Sequence, residues 1–452
     1  MEITRFAPSP TGNLHLGGAR TALFAWLHAR TYKGKFLIRF EDTDKERSKK
    51  EYVDSIISSL HWLGIEPDEN PIFQSERTEL HKEAALSLLN SGKAYSCDCT
   101  PDQLKKMRDN QIKNKLQPKY DGFNRDKNLS HKEGNVIRFK MPENGTTSFE
   151  DKILGTISVN NKELDDFIIL RSDSSPTYNF CAALDDIDMN ISTVIRGDDH
   201  ITNTLKQINI LNALNVSIPK YAHLPMVLSS DGKRLSKRDG AVDINDYKQM
   251  GYTKEAMVNY LIKLGWSYKD QEIFSVNELM RLFNLDNVNS SAAKFSEDLL
   301  NWYNNKYINM MDIKDIEEST LKFTGSDFSK LEKGKEALEI FKKNANTFQD
   351  ISDQGTYLFL APDISEELLN TIKVSKEIIQ NFFTFIKEVA FEDKSNIEEG
   401  IKKFIKQEGI KFPELGKPVR IILTGKINAP SISDLLYLLG KEESLDRIKR
   451  NL

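Results

Sequence analysis

Cysteines and long apolar runs are scarce in this sequence. Its 452 residues include only Cys97, Cys99 and Cys181, which are too few for a disulfide framework and typical of a reducing cytoplasm. No stretch reaches the roughly 18 consecutive apolar residues that a membrane-spanning helix needs. Residues 1–7 lack the basic head and apolar core of a secretory signal. We therefore expect a cytoplasmic protein with no membrane partner.

An excess of charge of one sign is also missing. The chain has 63 Lys and Arg against 67 Asp and Glu, a net charge of −4, so its overall balance does not indicate a nucleic-acid partner. The distribution is less even, because residues 401–452 carry 11 basic against 6 acidic side chains. Charge alone favours a helical tail with solvated side chains over a basic binding surface.

The composition that remains is that of an ordinary globular protein. Hydrophobic residues make up 39% of the chain, charged residues 29% and aromatic residues 9%, which excludes disordered and collagen-like classes. At about 150 residues per domain, the length predicts roughly three domains, each able to bury a core.

Strand and helix patterns alternate in the N-terminal half. Residues 3–7 and 36–40 predict short buried strands, and residues 48–63 predict a helix. Another helical pattern lies between the two strands, and Gly34 is its predicted C-terminal cap. Strand, loop, helix and strand in this order begin a parallel α/β sheet. The apolar side of the helix before Gly34 consists of Ala19, Ala22, Leu23, Trp26 and Leu27.

The alternation stops between about residues 97 and 170. Thr100 and Pro101 predict a helix start, because Thr is a good N-cap and Pro suits the first helical turn. Residues 136–141 and 153–159 predict strands of a separate insertion. Alternation returns after the insertion, and the chain is mostly helical beyond Asp239. The returning segments are residues 177–184, 193–195, a helix at 201–214 and a strand at 224–228.

Two loops contain the residue types of a nucleotide site. Residues 8–18 join a predicted strand to a predicted helix, where free backbone N–H groups and the helix dipole attract an anion. Glycines there let a ligand approach the backbone, and His15 could donate a hydrogen bond to a phosphate. Residues 229–240 include four basic side chains within six positions, which suits a polyphosphate. Each loop taken alone is more often a plain turn or a solvated surface loop.

The two loops together resemble the motifs of a known family. Residues 5–23 resemble the signature of the glutamyl-tRNA synthetases, whose form of the class I "HIGH" motif ends in Gly, here Gly18. Residues 234–238 resemble that family's "KMSKS" loop, with Arg at both ends. The similarity covers essentially the full length and indicates a bacterial-type member. Further similar segments occur in the family's order at residues 40–44, 176–180, 194–200 and 423–425.

The resemblance implies a two-step ligase reaction. L-glutamate is activated with ATP to glutamyl-adenylate and pyrophosphate, and is then transferred to the 3′-terminal adenosine of tRNA(Glu). Catalysis of this kind is mainly positioning and neutralisation of phosphate charge, and Mg²⁺ accompanies the ATP. Some members also load tRNA(Gln), and the sequence leaves that choice open. A monomer is implied.

Residue roles follow from position in the family motifs. His15 and Lys237 would be the catalytic residues, acting on the phosphates and on the leaving pyrophosphate. The implied ATP-binding residues are Pro8, Ser9, Gly12, His15, Gly17, Gly18, Arg234, Leu235, Ser236, Lys237 and Arg238.

The glutamate pocket must match two carboxylates and one ammonium group. By family position, Arg5 would face the side-chain carboxylate, Arg196 the α-carboxylate and Glu41 the ammonium. Arginine suits both carboxylates because its guanidinium can bind them with two parallel hydrogen bonds. Tyr178 and Ser9 would add hydrogen bonds.

The insertion departs from the family pattern at one place. Some relatives bind zinc there through Cys-x-Cys and a later Cys-x-His. This chain has Cys97 and Cys99, but Asn124 and Asp126 occupy the second pair of positions. Zinc prefers thiolate and imidazole ligands, so we expect no zinc and regard the two cysteines as a remnant of such a site.

The fold class implied is α/β, with a Rossmann-like parallel sheet split by an α+β insertion and followed by all-α C-terminal domains. Residues 1–96 would form the first half of the catalytic core and residues 97–176 the inserted domain that binds the tRNA acceptor end. Residues 177–239 would complete the core and contain the basic loop. Residues 240–318 would contact the tRNA stem, and residues 319–452 would bind the anticodon.

Three other functions share some of these features. A related enzyme that glutamylates a modified tRNA base should lack the long helical region that follows Lys237 here. A nucleotidylyltransferase could share the His-x-Gly and basic-loop elements without using tRNA. A catalytically inactive tRNA- or partner-binding module is disfavoured by the presence of His15, Lys237, Arg5 and Glu41.

Overall fold

The structure is a computed structural model that describes residues 1–44, 46–233 and 243–452. The chain divides into two compact units. One consists of Met1–Asp246 and Met257–Glu297, and the other of Tyr247–Ala256 and Asp298–Leu452. None of the helices in the described ranges is long and apolar enough to cross a membrane.

All of the strands lie in the first unit. They are β1 Ile3–Phe6, β2 Lys35–Phe40, β3 Ile72–Phe73, β4 Ala94–Cys97, β5 Val136–Phe139, β6 Thr146–Asp151, β7 Gly155–Asn160, β8 Ile168–Leu170, β9 Thr193–Gly197, β10 Lys220–Leu224, β11 Val227–Leu228 and β12 Ala293–Lys294.

Helices occur in both units. They are α1 Leu16–Thr31, α2 Lys50–Leu63, α3 Thr78–Asn90, α4 Pro101–Lys113, α5 Tyr178–Asp188, α6 Ile201–Ala213, α7 Ile244–Gln249, α8 Lys254–Lys263, α9 Val276–Leu282, α10 Glu297–Met310, α11 Ile313–Thr324, α12 Gly334–Phe341, α13 Phe348–Phe359, α14 Glu366–Val374, α15 Lys376–Ile386, α16 Lys394–Glu408, α17 Phe412–Thr424 and α18 Ile432–Arg450. Short 3₁₀ turns lie at Gln74–Arg77, Asn161–Glu163, Asp198–His200, Leu285–Asn287, Phe328–Lys330 and Lys342–Asn344.

The core of the first unit is a parallel sheet built from two separate parts of the chain. Strands β1, β2 and β3 pair in parallel, with Ile3 opposite Lys35. Strands β9 and β10 form a second parallel pair. Ser192, just before β9, joins the two parts, because its backbone N–H donates to the carbonyl of Ile3 at 2.9 Å. The predicted split α/β sheet is confirmed.

The chain between these two parts contributes to two different sheets. Strands β4, β5 and β8 form an antiparallel sheet of their own. The hairpin of β6 and β7 instead extends the sheet of β9 and β10, with Asp151 opposite Tyr221. The assignment of residues 153–159 to a separate insertion was therefore wrong. Alternating polarity predicts a strand, but it does not reveal which distant strand will be its partner.

Two local predictions also need correction, each for a backbone reason. Helix α1 is capped by Tyr32 rather than by Gly34. Gly34 is needed for space, because a Cβ atom there would lie 1.9 Å from the carbonyl oxygen of Glu2. The predicted strand at 224–228 is two short strands, β10 and β11, because Pro225 between them has no N–H for the ladder.

The predicted helix start at Thr100 is confirmed. The Thr100 hydroxyl accepts a hydrogen bond from the backbone N–H of Gln103 at 3.3 Å, and the Gln103 side chain accepts one from the backbone N–H of Thr100 at 2.8 Å. This reciprocal capping box satisfies two donors that the first turn of α4 would otherwise leave unpaired.

The second unit is helical, as predicted, and it encloses its own apolar core. Arg447 in α18 links this helix to α17 and α13. Its guanidinium donates to the carbonyls of Leu423 at 2.6 Å and Tyr357 at 2.9 Å. The first of these bonds satisfies a carbonyl at the C-terminal end of α17. The largest core side chains include Phe328, Phe341, Phe382, Phe404, Ile379, Leu415 and Leu435.

The close approach at Gly34 leads to a stability prediction. Gly34→Ala should lower the free energy of unfolding by about 1–3 kcal/mol, because the added methyl group must displace the start of β1. Gly12→Ala is the matched control, since no atom of the described residues lies within 4 Å of a Cβ atom built there. Urea melting followed by circular dichroism measures both variants. Equal midpoints for Gly34→Ala and the unmodified chain would contradict the prediction.

Candidate active site

A cavity of about 260 Å³ opens at the carboxyl ends of β1, β2, β9 and β10. Ligands of open parallel sheets bind at this edge, next to the point where the two parts of the sheet meet. The described residues that line it are Arg5, Phe6, Ala7, His15, Gly17, Gly18, Arg20, Thr21, Glu41, Tyr178, Ile195, Arg196, Gly197, Asp198, Asp199, His200, Leu224, Met226 and Val227.

The structure brings together most of the predicted site residues that it describes. Arg5, His15, Gly17, Gly18, Glu41, Tyr178 and Arg196 share the cavity wall. Pro8, Ser9 and Gly12 lie in the loop between β1 and α1, outside the lining. The remaining predicted residues, Arg234, Leu235, Ser236, Lys237 and Arg238, lie outside the residues that the structure describes.

His15 is the N-cap of α1, and its ring is held in one orientation. The backbone N–H of Gly18 donates to the ring Nδ1 at 3.1 Å, so the proton of a neutral ring lies on Nε2. Gly17 provides space for the ring, because a Cβ atom there would lie 3.2 Å from His15 Cε1. The helix start therefore places the Nε2–H of His15 beside the backbone N–H groups of the first turn.

Arg5 is anchored by a buried carboxylate. Its Nε donates to Asp186 Oδ1 at 3.0 Å and its Nη2 to Asp186 Oδ2 at 3.4 Å. The same Asp186 accepts a hydrogen bond from Arg39 at 2.6 Å, so one carboxylate on α5 serves two arginines from β1 and β2. Burial raises the pKa of Asp186, but the charges of Arg39 and Arg5 outweigh it and lower that pKa to about 2. Asp186 is therefore ionised at neutral pH.

Glu41 belongs to the same network. Arg39 donates to Glu41 Oε1 at 3.2 Å, and the Glu41 side chain lies at the wall with its residue only 9% exposed. Burial raises the pKa of Glu41, and the nearby charges of Arg39 and Arg5 only partly offset that increase. A cation that entered the cavity would favour the ionised carboxylate.

Arg196 has a different environment from Arg5. Its Nη2 donates to Thr204 Oγ1 at 2.7 Å and to Gln207 Oε1 at 2.8 Å, and its Nε lies 3.4 Å from His223 Nε2. The buried Nη1 has no hydrogen-bond partner within the described part of the chain. A buried guanidinium with an unused donor at a cavity wall is suited to an anionic ligand.

Sequence analysis missed several lining residues. Tyr178 contacts one of them, because its hydroxyl lies 3.1 Å from His200 Nδ1. Burial and the charge of Arg196 lower the pKa of His200 to about 4, so this ring is neutral at pH 7. Asp198, Asp199 and His200 directly follow Arg196 and Gly197 at the end of β9. Their position next to Arg196 in the sequence could have predicted that they line the same cavity.

The predicted remnant of a zinc site is filled by hydrogen bonds. The Asn124 amide lies 3.6 Å from Cys97 Sγ and 3.5 Å from Cys99 Sγ, and it donates to Asp98 at 2.6 Å. Asp126 points elsewhere, to Lys140 at 3.2 Å. Across the described residues, no group of three or more His, Cys, Asp and Glu side chains could hold a metal ion.

The cavity wall combines three buried arginines, Arg5, Arg20 and Arg196, with the buried carboxylate of Glu41. The Arg20 guanidinium donates to the backbone carbonyls of Leu264 and Pro225. Arg5 is 3% exposed and Arg196 6%, and both lie at the same wall as Glu41. Such a wall is complementary to a small ligand that has two anionic groups and one cationic group.

Two family models match this chain. Residues 3–302 match the catalytic domain of the class I tRNA synthetases for Glu and Gln. Residues 294–452 match an anticodon-binding domain. The two matches together account for nearly the whole chain.

Named relatives extend over the full length. The chain is 43% identical to a glutamate–tRNA ligase from Nitrosospira multiformis, with 99% of this chain and 98% of the relative covered. It is also 43% identical to the glutamate–tRNA ligase of Nitrosomonas europaea, with the same coverage. Among solved structures, a glutamate tRNA ligase from Elizabethkingia meningosepticum in complex with its amino acid matches with a TM-score of 0.87 and 30% identity, covering 100% of this chain and 99% of that one. This chain therefore belongs to the glutamate–tRNA ligase family of class I tRNA synthetases.

Proposed function

We propose that this chain activates L-glutamate with ATP and transfers it to tRNA(Glu), and that the cavity of the first unit is its active site. As a member of its family, the chain is an ATP-dependent aminoacyl-tRNA ligase. One observation carries the substrate assignment: Arg5, Arg196 and Glu41 are all buried at the wall of one cavity.

The charges of glutamate match this wall group by group. Arg5 binds the side-chain carboxylate, Arg196 the α-carboxylate and Glu41 the ammonium. Tyr178 and Ser9 add hydrogen bonds. A neutral side chain in the same place would leave Arg5 with a buried, unmatched donor, so glutamine is rejected without a separate editing step.

ATP binds between the loop at residues 8–18 and the basic loop at residues 234–238. A carboxylate oxygen of glutamate attacks the α-phosphorus, and the bond from that phosphorus to pyrophosphate breaks. His15 donates a hydrogen bond from Nε2–H to the phosphates and keeps its proton, since Nδ1 already accepts from Gly18. Lys237 holds the leaving pyrophosphate, and Mg²⁺ accompanies ATP and neutralises phosphate charge. The 3′-terminal ribose then attacks the glutamyl carbonyl, and AMP leaves.

The rest of the chain binds tRNA in this proposal. Residues 1–96 and 177–239 form the catalytic core, residues 97–176 bind the acceptor end, residues 240–318 contact the stem and residues 319–452 bind the anticodon. The basic surplus of residues 401–452 supports the last assignment. An anticodon-binding module also disfavours the alternative of an enzyme that modifies a tRNA base. We propose a cytoplasmic monomer.

Charging assays test the proposed function directly. Purified tRNA(Glu) and tRNA(Gln) are incubated separately with the protein, ATP, Mg²⁺ and labelled glutamate. Charging of tRNA(Glu) is expected, and the tRNA(Gln) arm determines whether that second tRNA is also a substrate. The absence of charging with both tRNAs would refute the proposal.

Arg5→Lys tests the binding of the side-chain carboxylate. The substitution keeps a positive charge beside Asp186 but removes the forked donor, so kcat/KM for glutamate should fall by about 10- to 100-fold. Arg30→Lys is the matched control, because Arg30 pairs with Asp68 away from the cavity. Steady-state charging with varied glutamate measures both. Equal effects of the two substitutions would contradict the role of Arg5.

Lys237→Ala tests the basic loop. The rate of glutamate-dependent ATP–pyrophosphate exchange, measured with tRNA present, should fall by about 10²- to 10³-fold, because one cationic donor to the leaving group is lost. Lys35→Ala is the control, since Lys35 is an exposed cation that pairs with Glu69 and does not line the cavity. Full-rate exchange by Lys237→Ala would refute the role given to Lys237.

The protein should need no zinc. The Asn124 amide already occupies the space between the thiols of Cys97 and Cys99, and Asn is a poor zinc ligand. Chelator-washed protein should contain no stoichiometric zinc by mass spectrometry, and its melting temperature should not change on washing. An equimolar zinc content would contradict this expectation.

A further inference from the structure

A histidine and an aspartate lie directly behind Arg196, in the sheet rather than in the cavity. His223 is fully buried on β10 and lies opposite Arg196 of β9 in the parallel register. Its Nε2 lies 3.4 Å from Arg196 Nε and 2.9 Å from Thr204 Oγ1. Neither His223 nor Asp151 lines the cavity.

Asp151 determines which ring nitrogen of His223 carries the proton. Asp151 Oδ2 lies 2.6 Å from His223 Nδ1 and also accepts the backbone N–H of His223 at 3.1 Å. Asp151 Oδ1 accepts the backbone N–H groups of Ile153 and Leu154 at 2.9 and 3.0 Å. Burial raises the pKa of Asp151, but these hydrogen bonds outweigh it and lower that pKa. An ionised Asp151 accepts a hydrogen bond from Nδ1–H, so Nε2 carries no proton and its lone pair faces Arg196 and Thr204.

The orientation of Arg196 depends on neutral acceptors. Its partners within the described ranges are Thr204, Gln207 and His223, and it forms no ion pair with a described carboxylate. Arg5, by contrast, is held by the full charge of Asp186. Loss of one neutral acceptor should therefore disturb the orientation of Arg196 more than the loss of a similar bond would disturb Arg5.

We propose that Asp151 and His223 are positioning residues that hold Arg196 so that its unused Nη1 meets the α-carboxylate of glutamate. This inference rests on the proposed function. It adds a positioning pair, Asp151 and His223, that orients Arg196 without touching the substrate. The hairpin of β6 and β7 supplies Asp151, so chain from outside the two core segments orients the substrate-binding arginine.

The positioning pair of Asp151 and His223 is sensitive to acid. The charged and titratable groups around His223 are Asp151, Arg196, Asp198 and His200, together with the stacked ring of Tyr221. Burial lowers the pKa of His223, which is therefore neutral at pH 7 with Nε2 as an acceptor. Once the ring is protonated, Nε2 becomes a donor beside the guanidinium, and the hydrogen bond to Arg196 is lost. Glutamate affinity should fall as the pH drops through the pKa of His223.

Two substitutions of similar size test the Nε2 acceptor of His223 separately from the rest of its ring. His223→Gln places an amide oxygen near the position of Nε2, so the acceptor remains but cannot titrate. His223→Asn keeps a polar group near Nδ1 and removes the acceptor. In His223→Asn, KM for glutamate should rise about tenfold, while KM for ATP and for tRNA should change by less than about twofold. A merely structural defect would lower kcat without this selective change in KM.

The pH profile provides the second measurement. KM for glutamate in the unmodified protein should rise as the pH falls through the lowered pKa of His223, and His223→Gln should remove that rise. The acid titration of His200 is common to both proteins, so their difference reports on His223. Asp151→Asn should resemble His223→Asn, because the ring then loses its fixed tautomer. Lys220→Gln, at the exposed start of the same strand, is the control and should match the unmodified protein.

The outcomes separate the two proposals. Normal tRNA charging by the unmodified protein, combined with an unchanged KM for glutamate in His223→Asn, would overturn the positioning pair alone. If His223→Asn does not fold, the profile of His223→Gln decides, because an acid rise equal to that of the unmodified protein would also overturn it. A lack of charging by the unmodified protein would refute the proposed function and this inference with it.

Discussion

The charge pairing at Asp186 is the interaction on which the rest of the candidate site depends. One buried carboxylate on α5 accepts hydrogen bonds from Arg5 of β1 and Arg39 of β2, and Arg39 in turn holds Glu41. Removal of one partner from a buried ion pair lowers the stability of a protein by several kcal/mol. The arrangement of each of these charged groups therefore depends on the presence of the others. The network also joins the first part of the sheet to the helix that follows the insertion. Two proposed glutamate-binding groups, Arg5 and Glu41, are therefore positioned by the same carboxylate.

Two of the cavity arginines, Arg5 and Arg196, differ in what balances their charge. Arg5 is neutralised by Asp186 before any ligand arrives, whereas Arg196 is held by a threonine, a glutamine and a histidine, all neutral at pH 7. A carboxylate that enters the cavity should therefore gain most at Arg196, which forms no ion pair with a carboxylate of the described residues. Arg5 contributes a rigid donor geometry instead. This difference between the two arginines suits a pocket that orients one ligand carboxylate for attack and recognises the ligand by its other carboxylate.

The segments between the two core parts are integrated more closely than their position along the chain indicates. Strand β6 pairs with β10 through Asp151 and Tyr221, and the same Asp151 binds His223. Strand β5, only a few residues earlier, belongs to another sheet. Both segments have ordinary strand patterns, because pattern reflects which face is buried and not which strand lies alongside. The chain between the core halves therefore supports the candidate site as well as forming its own sheet.

Local residue patterns and motif resemblance were enough to predict the split α/β sheet, the helical C-terminal half, the helix start at Thr100 and the grouping of Arg5, His15, Glu41, Tyr178 and Arg196. These features depend on short-range periodicity or on side chains within recognisable motifs. The partners of those side chains could not be predicted in the same way. Arg5 and Asp186 are 181 residues apart, and His223 and Asp151 are 72 apart. Contacts at such separations exist only once strands from distant segments have paired. The tertiary structure therefore decided how the charge of each arginine is balanced, why Gly34 must lack a side chain and which tautomer His223 adopts. Each of these features depends on atoms from a distant segment of the chain, which the neighbouring sequence does not contain.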